Sequence, residues 1–130
     1  MATGYLIDTS AVIKYLNQTF PNKAISFISK IVDSESNISF VSEIELKVWE
    51  PSYPDDLNIY IQFVQLSNVI GISDEIIATT VSIRKNYKLK LADALIAATA
   101  VVNNLILLGD NDKDFTRVAE LNYTNPKHII

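Results

Sequence analysis

The sequence predicts an α/β fold in which a parallel sheet of four to five strands is covered by helices on both faces. Short apolar runs alternate along the chain with longer segments of helical apolar spacing, as in a parallel sheet with helical connections. A length of 130 residues fits one domain, residues 1–130, and a hydrophobic content of 48% is enough for a core. No repeat, linker or low-complexity segment divides the chain.

Four short apolar runs predict the central strands, and a fifth predicts an edge strand. The first run ends directly at Asp8, and the fourth is followed by Gly109, which turns the chain. The predicted strands are residues 5–7, 38–41, 68–72, 105–108 and, at the edge, 128–130.

Seven segments are predicted to be helical. Pro21 is a normal first-turn residue, and Pro51 ends the segment that starts at Ser42. Ser73 is a good N-cap, and the two acids that follow it favour a helix start. The predicted helices are residues 10–17, 21–32, 42–49, 54–64, 73–87, 91–103 and 115–121.

The composition excludes several kinds of protein. The chain has no cysteine, so it has neither disulfides nor a thiolate metal site, which fits a reducing cytoplasm. The first apolar run is cut short at Asp8, and no apolar run reaches the roughly 20 residues of a membrane span. We therefore expect a soluble, cytoplasmic protein with no membrane segment.

The distribution of charge favours phosphate binding, although the net charge does not. A net charge of −4 and a pI of about 4.8 disfavour general nucleic-acid binding. Acids that bind a metal ion, however, do not oppose a phosphate backbone, because the ion inverts the local field. Four basic residues lie close together just before Asp93, and they are candidates for contacting a substrate backbone: Arg84, Lys85, Lys88 and Lys90.

The distinctive polar residues of the chain are carboxylates. The sequence has no glycine-rich phosphate loop and no nucleophile elbow, and its single histidine, His128, is expected at the surface. In parallel sheets, active sites form beyond the carboxyl ends of the strands. Asp8 and residues 109–114 are placed at such ends, so the chemistry is expected there.

Most of these acids also have a structural interpretation. Asp8 is placed to cap the helix that follows it, and Asn111 and Asp114 have cap-like spacing. Ser42 and Glu45 fit a capping box, with Ser42 as the cap and Glu45 reaching back to it. No one of these acids identifies a site alone.

Asp93 adds a stronger signal. It suits the first turn of a helix, but its neighbours at i+4 and i+7 are Ala97 and Ala100, so its carboxylate is expected to face packed apolar surface. Carboxylates that converge repel one another unless a hard cation lies between them, and Mg²⁺ or Mn²⁺ suits an all-oxygen site. Such an ion activates a water for attack on a phosphodiester.

Four segments of the chain together resemble the signature blocks of PIN domains, most closely the VapC-like toxins of type II toxin–antitoxin systems. The order and spacing of the blocks match, and the resemblance covers the whole chain. The DALIAA motif is the most specific part. The blocks are residues 5–13 (YLIDTSAVI), 38–46 (ISFVSEIEL), 91–100 (LADALIAATA) and 107–115 (LLGDNDKDF).

This resemblance implies a PIN-like three-layer α/β/α sandwich and a Mg²⁺- or Mn²⁺-dependent endoribonuclease. Glu43 competes for the second acidic position, but the Glu45–Leu46 pair matches the family. The acids implied as catalytic and metal-binding are Asp8, Glu45, Asp93 and Asp114. The supporting polar residues are Thr9, Ser10, Asn111 and Asp112.

The resemblance also implies partners. They are a small cognate antitoxin, a second copy in a homodimer and an RNA substrate, often a transfer RNA. The chain departs from the family at Gly109 and Asp110, where a Thr or Ser usually follows the strand, so Asp110 and Asp112 compete with Asp114 for the fourth acidic position.

Other classes fit less well. A haloacid dehalogenase-like enzyme needs a second Asp at position 10, which is Ser10, and a receiver domain needs an acid next to Asp8. The alternative that stays open is a PIN fold that cleaves weakly or not at all and instead binds RNA or protein.

Overall fold

A computed structural model describes residues 4–129. Its five strands form one sheet in the order β3-β2-β1-β4-β5, and every neighbouring pair is parallel. The predicted parallel sheet of four to five strands is therefore confirmed. The strands are β1 (Gly4–Ile7), β2 (Asn37–Ser39), β3 (Asn68–Ile70), β4 (Leu105–Leu108) and β5 (Tyr123–Thr124).

Helices connect the strands and cover both faces of the sheet. Two successive helices follow each of β1, β2 and β3, and a single short helix follows β4. The helices are α1 (Thr9–Leu16), α2 (Asn22–Ser34), α3 (Phe40–Val48), α4 (Asp56–Leu66), α5 (Asp74–Asn86), α6 (Leu91–Val102) and α7 (Asp112–Phe115).

The two faces of the sheet form two separate hydrophobic cores. Because side chains alternate along a strand, Leu6 of β1 joins the core built with α5 and α6, whereas Ile7 joins the core built with α1, α2 and α4. In β4, Leu107 and Leu108 divide in the same way. This arrangement is the expected three-layer α/β/α sandwich.

The register of the central strands brings two loops together at one edge of the sheet. Ile7 pairs with Leu108, so β1 and β4 end at the same level, and the Asp8 backbone N–H donates to the Leu108 carbonyl at 2.8 Å. A Cβ at Gly109 would lie 3.2 Å from the Asp8 Cβ and 3.3 Å from its Oδ2. Glycine at this position therefore leaves room for the Asp8 carboxylate.

Several predicted boundaries were wrong. β2 ends at Ser39, where the prediction ran to residue 41, because Ser39 caps α3 by accepting a hydrogen bond from the Val41 amide at 3.1 Å. β3 likewise stops at Ile70, two residues earlier than predicted. The predicted helix 115–121 is replaced by the four-residue α7, followed only by isolated turns.

The edge strand was also misplaced. It lies at β5, because Pro126–His128 forms a 3₁₀ turn that Asn125 caps by accepting the Lys127 amide at 3.0 Å. Ile130, the last residue of the predicted edge strand, lies outside the described residues. Among residues 4–129, no helix is both long and apolar enough to cross a membrane.

Candidate active site

A pocket of about 650 Å³ lies at the carboxyl ends of the central strands. Three of the four predicted acids line it: Asp8, Glu45 and Asp93. We call it the acid pocket. Its other lining residues are Thr9, Ser10, Ile13, Val48, Trp49, Glu50, Asp110 and Asn111.

Asp8 is the most enclosed of these acids, with 5% of its surface exposed. It occupies the N-cap position of α1, yet its carboxylate makes no capping hydrogen bond and instead accepts the Ser10 hydroxyl at 2.5 Å. Burial raises the pKa of Asp8 to about 6; the Ser10 hydrogen bond opposes the rise, and the charges of Asp93 and Glu45 add to it. Asp8 therefore occupies the predicted cap position, but its carboxylate is also buried beside like charges, which capping does not explain.

Glu45 is held by the start of α1. The Thr9 hydroxyl donates to Glu45 Oε1 at 2.6 Å, and the hydroxyl oxygens of Thr9 and Ser42 lie 2.8 Å apart. The predicted capping box was wrong, because α3 begins at Phe40 and its cap is Ser39. Ser42 and Glu45 thus lie inside the helix, where both contact Thr9.

Glu43, the other candidate for the second acidic position, does not line the acid pocket. Its carboxylate pairs with Lys47 at 2.5 Å, one turn further along α3. Of the two competing acids, Glu45 is therefore the one at the pocket.

Asp93 lies in the first turn of α6, half-buried beside the other acids. Burial raises the pKa of Asp93, the charges of Asp114 and Glu45 raise it further, and Lys90 opposes the rise. Its carboxylate thus lies within electrostatic reach of a second and a third acid. Such mutual repulsion is what a cation between carboxylates relieves.

Asp114 approaches the site from α7 but does not line the acid pocket. The Asn111 side-chain amide donates to Asp114 Oδ2 at 3.1 Å, and Arg117 donates to Oδ1 at 2.9 Å. Arg117 also donates to the Lys88 carbonyl at 3.1 Å, which ties α7 to the basic stretch. Sequence reasoning missed Arg117, although its spacing of three residues from Asp114 is a usual spacing for an ion pair.

Asp110 and Asp112, the other two acids of this loop, contact residues after β4 and, for Asp110, also Lys14 of α1. We call this set the C-terminal network. Asp110 pairs with Lys14 and with Lys127 (3.2 Å), and it accepts the buried Asn125 amide at 2.8 Å. Burial works against its ionised form, but these three hydrogen bonds lower the pKa of Asp110 to about 2.

Asp112 has its own partners in the C-terminal network. It accepts hydrogen bonds from His128 and Tyr123, each at 2.7 Å, and from the Asn125 amide at 3.0 Å. These bonds lower the pKa of Asp112 to about 2. Asp112 was predicted to support the site, but it does not line the acid pocket.

The donors at the acid pocket fit a hard divalent cation in their chemistry. They are carboxylate oxygens of like charge, assisted by hydroxyl and amide oxygens, and such donors prefer Mg²⁺ or Mn²⁺. Among residues 4–129, however, no three His, Asp or Glu side chains are close enough to form a ready metal-binding group.

A family comparison assigns the fold. The family model for the PIN domain matches residues 5–121. The chain belongs to the PIN domain family. Comparison with curated proteins gave no significant match.

Solved structures resemble this PIN domain over nearly its whole length. VapBC2 from Rickettsia felis, bound to a promoter DNA fragment, has a TM-score of 0.80 and 20% identity, covering 95% of this chain and 98% of that one. A toxin–antitoxin complex from Klebsiella pneumoniae has a TM-score of 0.74 and 28% identity, covering 97% of this chain and 100% of that one. FitAcB from Neisseria gonorrhoeae has a TM-score of 0.75 and 19% identity, covering 96% and 99%.

The basic stretch of this PIN domain runs from the end of α5 to the start of α6. All four of its side chains are exposed. Lys90 is the N-cap residue of α6, and its charge acts on Asp93. The stretch therefore ends next to the acid pocket. Its members are Arg84, Lys85, Lys88 and Lys90.

Sequence reasoning missed one wall of the pocket. Ile13, Val48, Trp49 and Glu50 line it, and none was singled out as a site residue. The only available signal was that Trp49, the single tryptophan of the chain, comes one helical turn after Glu45.

Proposed function

We propose that this PIN domain is a Mg²⁺- or Mn²⁺-dependent endoribonuclease that hydrolyses RNA phosphodiester bonds. The observation that carries the proposal is the meeting of Asp8, Glu45 and Asp93 in one pocket, where burial and like charges raise the pKa values of Asp8 and Asp93. Burying carboxylates beside one another is unfavourable for folding, and perturbed groups of this kind are concentrated at functional sites.

Residues in the acid pocket and beside it are proposed to have different roles. Asp8, Glu45, Asp93 and Asp114 are proposed to hold the ion, which when bound supplies an activated water and stabilises charge on the phosphate. Thr9 and Ser10 orient Glu45 and Asp8 by hydrogen bonds of 2.6 and 2.5 Å. Asn111 orients Asp114, with which it makes a bond of 3.1 Å.

The basic stretch is proposed to hold the RNA backbone. Its exposed charges lie directly before Asp93, so a bound strand passes from them into the acid pocket. Phosphate contacts of this kind position a substrate without reading its sequence.

We further propose that the chain is the toxin of a type II pair and that a cognate antitoxin is its partner. The support is its likeness, at 28% identity, to a toxin–antitoxin complex from Klebsiella pneumoniae. A cytoplasmic location, a homodimer and a transfer RNA substrate accompany this proposal as predictions.

Metal removal and one substitution test the nuclease proposal. Purified protein with Mg²⁺ should cleave a labelled RNA pool, EDTA should stop cleavage, and excess Mg²⁺ or Mn²⁺ should restore it. Asp93→Asn should abolish cleavage, because it removes one of the acids proposed to hold the ion. Glu43→Gln is the matched control and should cleave normally, since Glu43 lies outside the pocket. Cleavage that resists EDTA would contradict the metal mechanism, and RNA binding without any cleavage would favour the non-catalytic alternative.

A further inference from the structure

The acid pocket has an apolar part that metal and phosphate chemistry does not use. Ile13, Val48 and Trp49 line it together with the acids. Val48 is 71% exposed and Trp49 is 44% exposed, so neither belongs to the hydrophobic core. Apolar side chains of this kind bind neither a cation nor a phosphate.

The position of Trp49 is fixed relative to Glu45. Trp49 directly follows the last residue of α3, and its backbone N–H donates to the Glu45 carbonyl at 3.1 Å. The backbone of Trp49 is thus held one helical turn from an acid of the proposed metal site, and its side chain lines the same pocket. A ligand contacting this ring would lie next to the reacting phosphate.

The indole ring is open to a ligand. Trp49 lines the acid pocket and also an adjoining cavity of about 460 Å³. Within residues 4–129, the aromatic ring pairs are Tyr5–Phe27 and Phe115–Tyr123, so Trp49 has no aromatic partner there. Over the same residues, its indole N–H makes no hydrogen bond.

The surrounding charge favours a neutral ring over a phosphate. No described residue that lines either cavity is basic, whereas Glu50 borders both cavities and Asp56 lines the adjoining one. A phosphate held against Trp49 would meet only negative charge. A nucleobase is planar and uncharged, and stacking on an aromatic side chain suits every base.

We propose that Trp49 is a stacking subsite for the RNA base next to the bond that is cut. This inference rests on the proposed endoribonuclease function and adds a base contact to the backbone contacts of the basic stretch. A base held on the indole orients the adjoining phosphodiester toward Asp8, Glu45 and Asp93. The subsite thus contributes to substrate binding and to the choice of the cut position.

Fluorescence tests the subsite directly, because Trp49 is the only tryptophan of the chain. The Asp8→Asn variant, with Mg²⁺ present, would be titrated with a single-stranded RNA of about 10 nucleotides. The control probe is an oligomer with the same number of phosphates and no bases. The RNA should quench the Trp49 emission and the abasic oligomer should not. Equal quenching by both probes would overturn the proposal.

Substitutions give a second, independent measurement. In the Asp8→Asn background, Trp49→Ala should raise the Kd for the RNA by roughly 5- to 150-fold, and Trp49→Phe should recover most of the affinity. Tyr53→Ala is the matched control: Tyr53 is 73% exposed in the adjoining cavity but does not line the acid pocket. An unchanged Kd for RNA in a folded Trp49→Ala variant would overturn the subsite, and the indole would then be a candidate contact for a protein partner.

Cleavage assays on the wild type and on Trp49→Ala without the Asp8→Asn change distinguish a failure of the subsite from a failure of the proposed endoribonuclease function. Trp49→Ala should raise the KM for RNA more than it lowers kcat, and it should relax the base preference at one position beside the cut. If the wild-type chain cleaves RNA and Trp49→Ala keeps the same KM and cut pattern, only the subsite fails. If the wild-type chain never cleaves, the proposed function fails, and the quenching experiment alone decides whether Trp49 binds bases.

Discussion

Two groups of acids meet at the edge of this sheet, and they differ in what surrounds them. In the acid pocket, Asp8 and Asp93 face other carboxylates, and burial with like charge raises both pKa values. In the C-terminal network, Asp110 and Asp112 are hydrogen-bonded to cationic and polar side chains, which lower both pKa values. The pKa values of acids at the same end of the sheet thus shift in opposite directions because their partners differ.

The comparison teaches that the partners of the acids, and not their number, distinguish a carboxylate whose charge is already compensated from one whose charge is not. Asp110 already has the counter-charges of Lys14 and Lys127, and Asp112 already accepts hydrogen bonds from His128, Tyr123 and Asn125, so a metal ion adds little there. Asp8 and Asp93 instead face other acids, whose charges outweigh that of Lys90 at Asp93, so an ion bound there would relieve an existing repulsion. Asp114 is intermediate, because it pairs with Arg117 at 2.9 Å and still raises the pKa of Asp93.

The largest expected effect is on catalysis. Asp8→Asn should lower kcat by about 100-fold or more, since loss of a residue proposed to hold the ion exceeds the cost of losing one that only supports it. Asp112→Asn should change kcat only a few-fold, because Asp112 does not line the pocket. RNA cleavage rates, with circular dichroism to check folding, provide the measurement. Equal losses in both variants would remove the distinction between the two groups.

The sequence predicts those features of the two acid groups that depend on local pattern, namely the strand ends where they lie and the inward direction of Asp93. The alternation of apolar runs placed Asp8 and residues 109–114 at neighbouring strand ends, and the confirmed parallel sheet brings them together. The inward direction expected for Asp93 followed from its helical neighbours, and Asp93 indeed lines the pocket. Sequence periodicity predicts which way a side chain faces because the period is a property of the helix or strand that carries it.

The partners of each acid could not be predicted, because they come from distant segments. Asp110 meets Lys14 and Asn125, which lie on α1 and just after β5, and Glu45 meets Thr9 instead of its own helix cap. No local spacing encodes such contacts. The misplaced edge strand is a related failure. Asn125 donates to both Asp110 and Asp112, and these distant contacts leave no pattern in the sequence around residue 125.

The next effect is on stability without metal, where the two groups should respond in opposite directions. Removing the buried charge by Asp8→Asn should stabilise the protein at pH 8 by about 3 kcal/mol, from a folded pKa of about 6 against 3.8. The gain should vanish below about pH 4, where the carboxyl group is protonated in both states. Asp110→Asn should instead destabilise by about 1 kcal/mol, because it weakens charge-assisted hydrogen bonds.

Urea unfolding in EDTA at about pH 4 and pH 8 measures both changes. Adding Mg²⁺ at the higher pH should stabilise the wild type and leave Asp8→Asn almost unchanged, since only the wild type keeps the full set of acids. Destabilisation by Asp8→Asn at the higher pH would mean that its carboxylate is a structural partner like Asp110.

The smallest effect concerns the basic side of the site. Lys85→Ala with Lys88→Ala should weaken RNA binding by about 10-fold and reduce the salt slope of log K by about one to two, because fewer counterions are released. Lys23→Ala with Lys30→Ala changes the net charge equally on α2, where both lysines are exposed and neither lines the acid pocket. If both double variants reduce the salt slope equally, RNA binding depends on the net charge of the protein and not on the basic stretch. If only the first pair does, the RNA strand contacts the basic stretch that leads to the acid pocket.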